Sequence, residues 1–94
     1  MASPREEVIR VLRDILVPLI RADGGQVHLV RADDDAVELH LSGRYAGSPG
    51  LTLTARRFVE PAVLAVMPRA RVVVTSGALV PQGATPLGED PEPE

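Results

Sequence analysis

Two sets of residues in this sequence have side chains suited to binding chemistry. The first is His28, Glu38 and His40, which lie in neighbouring stretches that alternate apolar and polar residues. Strands of that pattern, joined by a three-residue turn at Asp33-Asp34-Asp35, set His28 opposite His40 and place Glu38 diagonally beside His28. Two imidazoles and a carboxylate on one face can take a divalent metal such as iron or zinc. The same residues also suit the wet side of a half-buried sheet, and that reading is preferred because no further strong ligand is fixed nearby. The aspartate run lacks the spaced oxygens and closing glutamate of a calcium loop and reads as a solvated turn.

The second set is the stretch Gly43-Arg44-Tyr45-Ala46-Gly47-Ser48-Pro49-Gly50. It joins a strand pattern to a helix start, and such loops often carry function. Its glycines allow backbone to approach a ligand closely. Ser48-Pro49 reads as an N-cap followed by a proline at the first helical position. The free N–H groups and positive dipole of such an end suit an anionic cluster, a thiolate or a carboxylate. Arg44, Tyr45, Gly47 and Ser48 form the candidate partner surface. Tyr45, the chain's one tyrosine, is a candidate interface anchor; the alternative is a ring packed onto its own domain.

The elements that position these residues follow in chain order. Ser3-Pro4-Arg5-Glu6 fits a capping box. Val8, Val11, Leu12, Ile15, Leu16 and Leu19 then recur at helical spacing as one apolar face, with a kink or early end expected at Pro18. Asp23-Gly24-Gly25 closes the helix. Strands are expected over 26–32 and 36–42, with Val27, Leu29, Val37, Leu39 and Leu41 facing inward. A second helix carries Leu51, Ala55, Phe58, Val59, Ala62, Val63 and Val66, with a kink or break expected before Pro61. Residues 71–75 read as a short buried strand. The predicted fold is α/β (α+β): helix, hairpin, helix, strand, with a small three-stranded mixed sheet and helices packed on one face. The expected domain is 1–76, and residues 77–94, rich in proline, glycine and acids, read as a disordered tail.

Composition narrows the function classes. The chain has 94 residues, 2% aromatic content and no cysteine, and its basic residues are all arginine. A single small domain with an aliphatic core follows, of modest stability unless it oligomerises. The net charge is −3. The four acids of the last stretch account for that excess, so no nucleic-acid surface is indicated. No signal peptide or membrane-spanning run is seen, which favours the cytoplasm. The catalytic arrangements of hydrolases and the phosphate loop are missing, so no enzyme is expected.

The chain resembles the C-terminal domain of NifU, the iron–sulfur cluster scaffold and carrier family. The resemblance rests on Val17-Pro18-Leu19-Ile20-Arg21-Ala22-Asp23-Gly24-Gly25, on Leu41-Ser42-Gly43-Arg44-Tyr45-Ala46-Gly47-Ser48-Pro49 and Leu51-Thr52-Leu53-Thr54, and on Met67-Pro68 with the valine strand after it. It implies the same α/β architecture. In the family the loop carries Cys-x-x-Cys-Pro, and loops from two subunits hold one cluster. Tyr45 and Ser48 occupy the matching positions here, so no cofactor is expected although the family implies an iron–sulfur cluster. The resemblance implies a protein of cluster assembly or metalloenzyme maturation that acts as a non-cluster-binding partner or adaptor. Its partners would be proteins of cluster biogenesis or a metalloenzyme client, together with a second copy in a homodimer. The alternatives are a metal-ion-binding protein using His28 and His40, or a structural subunit of a larger assembly.

Overall fold

Ser3 opens the first helix as its sequence encodes. Its hydroxyl accepts from the Glu6 N–H, while the Glu6 carboxylate accepts from the Ser3 N–H, so each end of the box satisfies an orphan donor. The computed structural model describes residues 3–33 and 35–87. Helix α1 (Pro4–Val11) continues through a π-helical turn (Leu12–Leu16) into α2 (Val17–Ala22). The wide turn precedes Pro18, and the Val17 N–H bonds the Leu12 carbonyl five residues back. Proline has no N–H to give to a carbonyl in the preceding turn, and the extra residue absorbs that loss without ending the helix.

This turn corrects the expected apolar face. Val8, Leu12, Leu16 and Ile20 are buried, with Val17 beside them, whereas Ile15 and Leu19 are 56% and 49% exposed. The wider pitch moves the buried set to every fourth residue, so Ile15 and Leu19 rotate out.

Strand β1 (Gly25–Ala32) and strand β2 (Ala36–Gly43) pair antiparallel. Helix α3 (Pro49–Val66) then leads into β3 (Arg71–Ser76), which pairs parallel to β2. A fourth strand, β4 (Thr85–Pro86), pairs antiparallel with the far side of β1. The sheet is mixed, with strand order β3-β2-β1-β4. Four strands replace the three expected, and the ordered chain passes residue 76. The Leu87 side chain is buried in the core, and its N–H bonds the Val27 carbonyl. Of the residues read as a tail, 77–87 are therefore part of the domain. Residues 88–94 lie outside the described residues, as does Asp34 of the aspartate turn.

The core lies between the helices and one face of the sheet. Val37, Leu39 and Leu41 are fully buried there with Val59 and Val63 of α3 and Val8 and Leu12 of the first helical run. Each such side chain contributes about 1.5–3 kcal/mol by leaving water. Helix α3 runs unbroken through Pro61, so it is not divided into two pieces at Val59-Glu60. It buries Ala55, Val59 and Val63 but leaves Phe58 57% exposed, so Phe58 is not the core residue that its spacing suggested.

Candidate functional site

The loop between β2 and α3 holds the positions at issue. Its backbone is fixed by bonds from Ala46 N–H to the Gly43 carbonyl and from Ser48 N–H to the Tyr45 carbonyl. Arg44 N–H bonds the Gly24 carbonyl, which ties the loop to the end of α2. Ser48 stands at the N-cap position of α3, but its side chain makes no capping bond. Its carbonyl instead receives both the N–H and the hydroxyl of Thr52. The expected side-chain cap is absent.

Tyr45 points inward. The side chain is 3% exposed and belongs to the hydrophobic core, so it does not stand out from the loop as an interface anchor. Its ring lies over Gly25, where a built Cβ would stand 2.6 Å from Cε1 and 3.0 Å from Cγ2 of Ile20. The phenol donates to Asp23 Oδ2 at 3.1 Å. Burial pushes the phenol above its ordinary value of 10.0, and the hydrogen bond to Asp23 and its negative charge act the same way, while Arg44 opposes them. The group therefore stays a protonated hydrogen-bond donor at neutral pH.

That geometry decides how the loop relates to a metal cluster. Iron–sulfur clusters are held by thiolates, and the chain has none. Tyr45 and Ser48 offer a buried protonated phenol and a neutral hydroxyl, and the phenol is already committed to Asp23. The residues present do not fit the group. Arg44 and Gly47 are exposed and Ser48 is half-buried, so the accessible part of the expected partner surface lies there. Gly47, Ser48 and Pro49 open onto a groove of about 510 Å³ completed by Thr52, Leu53 and Arg56 of α3 and by Val74–Ser76 of β3.

His28 and His40 pair across β1 and β2 as the turn length requires, with ring centroids 6.3 Å apart. They are not on a wet face, being only 8% and 5% exposed. Residues 77–84 join β3 and β4 at opposite edges of the sheet, and the chain enters that connection at Gly77 beside the His40 ring. His40 Nε2 donates to the Gly77 carbonyl at 3.0 Å, and Nδ1 lies 2.9 Å from the Thr75 hydroxyl. A carbonyl only accepts, so Nε2 carries a proton, while the Thr75 hydroxyl also lies 3.3 Å from the Leu39 carbonyl that can take its proton. His28 Nε2 lies 2.9 Å from Ser42 Oγ, whose own proton points to Gln26 Oε1. These imidazoles serve as structural polar groups within the fold.

Glu38 has a different cross-strand partner from the one expected. The register shifts between Leu29 and Arg31, so Glu38 pairs with Arg31. Among the described residues, no three His, Asp or Glu side chains gather as a metal-holding group. A one-residue bulge leaves little trace in an alternating sequence, which is why the earlier register held for His28 and failed for Glu38. Sequence reasoning also missed Asp23 and Gly25 as partners of Tyr45. The signal was the doubled glycine, since a helix cap needs only one.

The family model of the NifU-like domain matches residues 8–74. No curated protein matches the sequence.

Proposed function

The chain belongs to the NifU-like domain family, and from that premise we propose that it serves iron–sulfur cluster assembly or metalloenzyme maturation through protein binding, without carrying a cluster. Family membership supports the process, and the loop chemistry supports the mode. The observation that carries the reading is Tyr45, which fills a cluster-ligand position with a buried phenol bonded to Asp23. A side chain packed in this way stabilises the loop and offers nothing to a metal. The exposed Arg44 and Gly47, with half-buried Ser48, are left as the surface for a partner in cluster biogenesis or a metalloenzyme client.

The test has two arms. Protein purified anaerobically and incubated with ferrous iron and sulfide is expected to stay colourless and metal-free by elemental analysis. Stoichiometric iron and a visible charge-transfer spectrum would overturn the reading. In the second arm, loss of the gene is expected to lower iron–sulfur enzyme activity in its host. A copy with Arg44→Glu, which leaves the Tyr45–Asp23 pair in place, is expected to fail to restore it. Full restoration by that copy would remove Arg44 from the partner surface.

A further inference from the structure

Helices α2 and α3 do not close fully against each other beside Tyr45. A pocket of about 270 Å³ lies there, with Leu16, Ile20 and Ala55 as its floor, none more than 3% exposed. Leu19 and Phe58 form its rim. Both belong to apolar patterns that predict burial, yet in the folded chain each is about half exposed. An apolar concavity with a few convergent polar groups is the usual form of a small-molecule site.

Three polar side chains line the pocket, those of Asp23, Tyr45 and Thr54, and none has a proton to spare. The Tyr45 phenol donates to Asp23 Oδ2 at 3.1 Å, and the Thr54 hydroxyl donates to the Gly50 carbonyl at 3.0 Å. The Asp23 carboxylate is an acceptor only. To a ligand these side chains offer lone pairs and one negative charge. No cationic side chain lines the pocket, and among the described residues no ion pair reaches Asp23. Arg44 acts on the Tyr45 phenol through its charge but lies outside the lining. The complement is a group that brings several donors and a positive charge. A carboxylate or phosphate would meet lone pairs and a like charge instead.

We propose that this pocket binds a small primary amine with an apolar body, its ammonium on Asp23 and its body over Leu16, Ile20 and Ala55 between Leu19 and Phe58. An ammonium carries three donors and no acceptor, which is what the lining lacks. Size agrees with this class. A dry cavity of about 150 Å³ holds benzene, so the larger volume here takes on the order of ten non-hydrogen atoms. That is the size of an arylalkylamine, and the half-exposed Phe58 ring suits an aromatic body. Bound there, the amine would cover both rim side chains and join α2 to α3. This inference stands on the donor count of the pocket and does not require the proposed function.

Nuclear magnetic resonance titration of the full chain tests it. The probe is phenethylamine, with phenethyl alcohol and hydrocinnamate as its neutral and anionic comparators. The amine is expected to shift the amides of Ala22, Asp23, Leu51 and Phe58 saturably, with a dissociation constant in the millimolar range or below. The alcohol is expected to bind about tenfold more weakly or worse, as loss of a charge-assisted bond does, and hydrocinnamate to leave those amides unmoved. Asp23→Asn keeps an acceptor for the Tyr45 phenol and removes the charge. It should weaken the amine about tenfold or more and leave the alcohol unchanged. Ala22→Leu, at an exposed position of the lining, fills the pocket from its rim. It should block amine and alcohol alike while circular dichroism stays that of the wild type.

An amine that binds no better than the alcohol, or as well to Asp23→Asn as to the wild type, would overturn the proposal. So would binding that survives Ala22→Leu, or shifts that gather at Asp33 and Asp35, which would be ion pairing on the aspartate turn. The absence of saturable amine binding would overturn it as well. Binding of a lysine-bearing peptide in its place would make a protein chain the occupant.

Discussion

The Tyr45 ring rests on the backbone of Gly25, at a site where any β-carbon would overlap it: a built Cβ stands 2.6 Å from Cε1. The loop that follows β2 is thereby keyed to the start of β1. Gly25→Ala is expected to cost about 2 kcal/mol, as overpacking of a filled core does. The cost should fall when the ring is removed. In urea titrations of Gly25→Ala, Tyr45→Ala and the double variant, the coupling is expected to be about 1 kcal/mol or more. Additive changes would mean that Gly25 and Tyr45 do not constrain each other.

Tyr45 also makes alkaline stability readable. The chain has one tyrosine, no lysine and no cysteine, so the phenol titrates apart from other side chains. Its value is raised in the folded state from 10.0, so between the unfolded and folded values the native state holds the proton more tightly. Stability from this group is complete below the unfolded value and is lost as pH rises through the folded one. The ultraviolet band of the phenolate is expected to appear at higher pH in the native protein than in urea. Tyr45→Phe should flatten that part of the stability profile. A native midpoint at or below the denatured one would place the ring in water.

Leu16 and Ile15 test the π-helical turn. Sequence periodicity treats them alike, whereas the structure buries Leu16 and leaves Ile15 56% exposed. Leu16→Ala is expected to cost about 2–5 kcal/mol, and Ile15→Ala well under 1 kcal/mol. Equal costs in thermal or chemical unfolding would mean that the helix keeps a regular pitch and faces the core differently.

These contrasts show what the sequence could and could not convey. The alternation of Val27, Leu29, Val37, Leu39 and Leu41 sets one face of a hairpin, and those positions are the inner face. The turn length set His28 opposite His40, which is the observed register. Features arising from interactions distant in sequence were not legible. The π-helical turn is a local answer to Pro18 that depends on the core beneath it. Strand β4 is two residues long, below what alternation can signal, and its place follows from the available edge of β1. The burial of His28 and His40 depends on that same return of the chain. Tyr45 could be read as an anchor or a core ring, and the overlap with Gly25 settles which.

His40 joins three parts of the fold, and its substitution should release one of them. Its nitrogens engage the Thr75 hydroxyl of β3 and the carbonyl of Gly77, where the connection to β4 begins. His40→Ala removes both bonds and leaves their partners to find water. At about 0.5–1.5 kcal/mol per bond, the expected loss is about 1–3 kcal/mol. The loss should be local before it is global. Limited proteolysis is expected to cut His40→Ala within residues 77–84 faster than the wild type, with hydrogen exchange rising at Leu87, whose N–H bonds Val27. A chain ending at Ser76 provides the limit. It lacks β4 and the buried Leu87, and the loss of that side chain alone is worth about 1.5–3 kcal/mol. If that shortened chain were as stable as the full one, the crossing segment would have no part in holding the sheet.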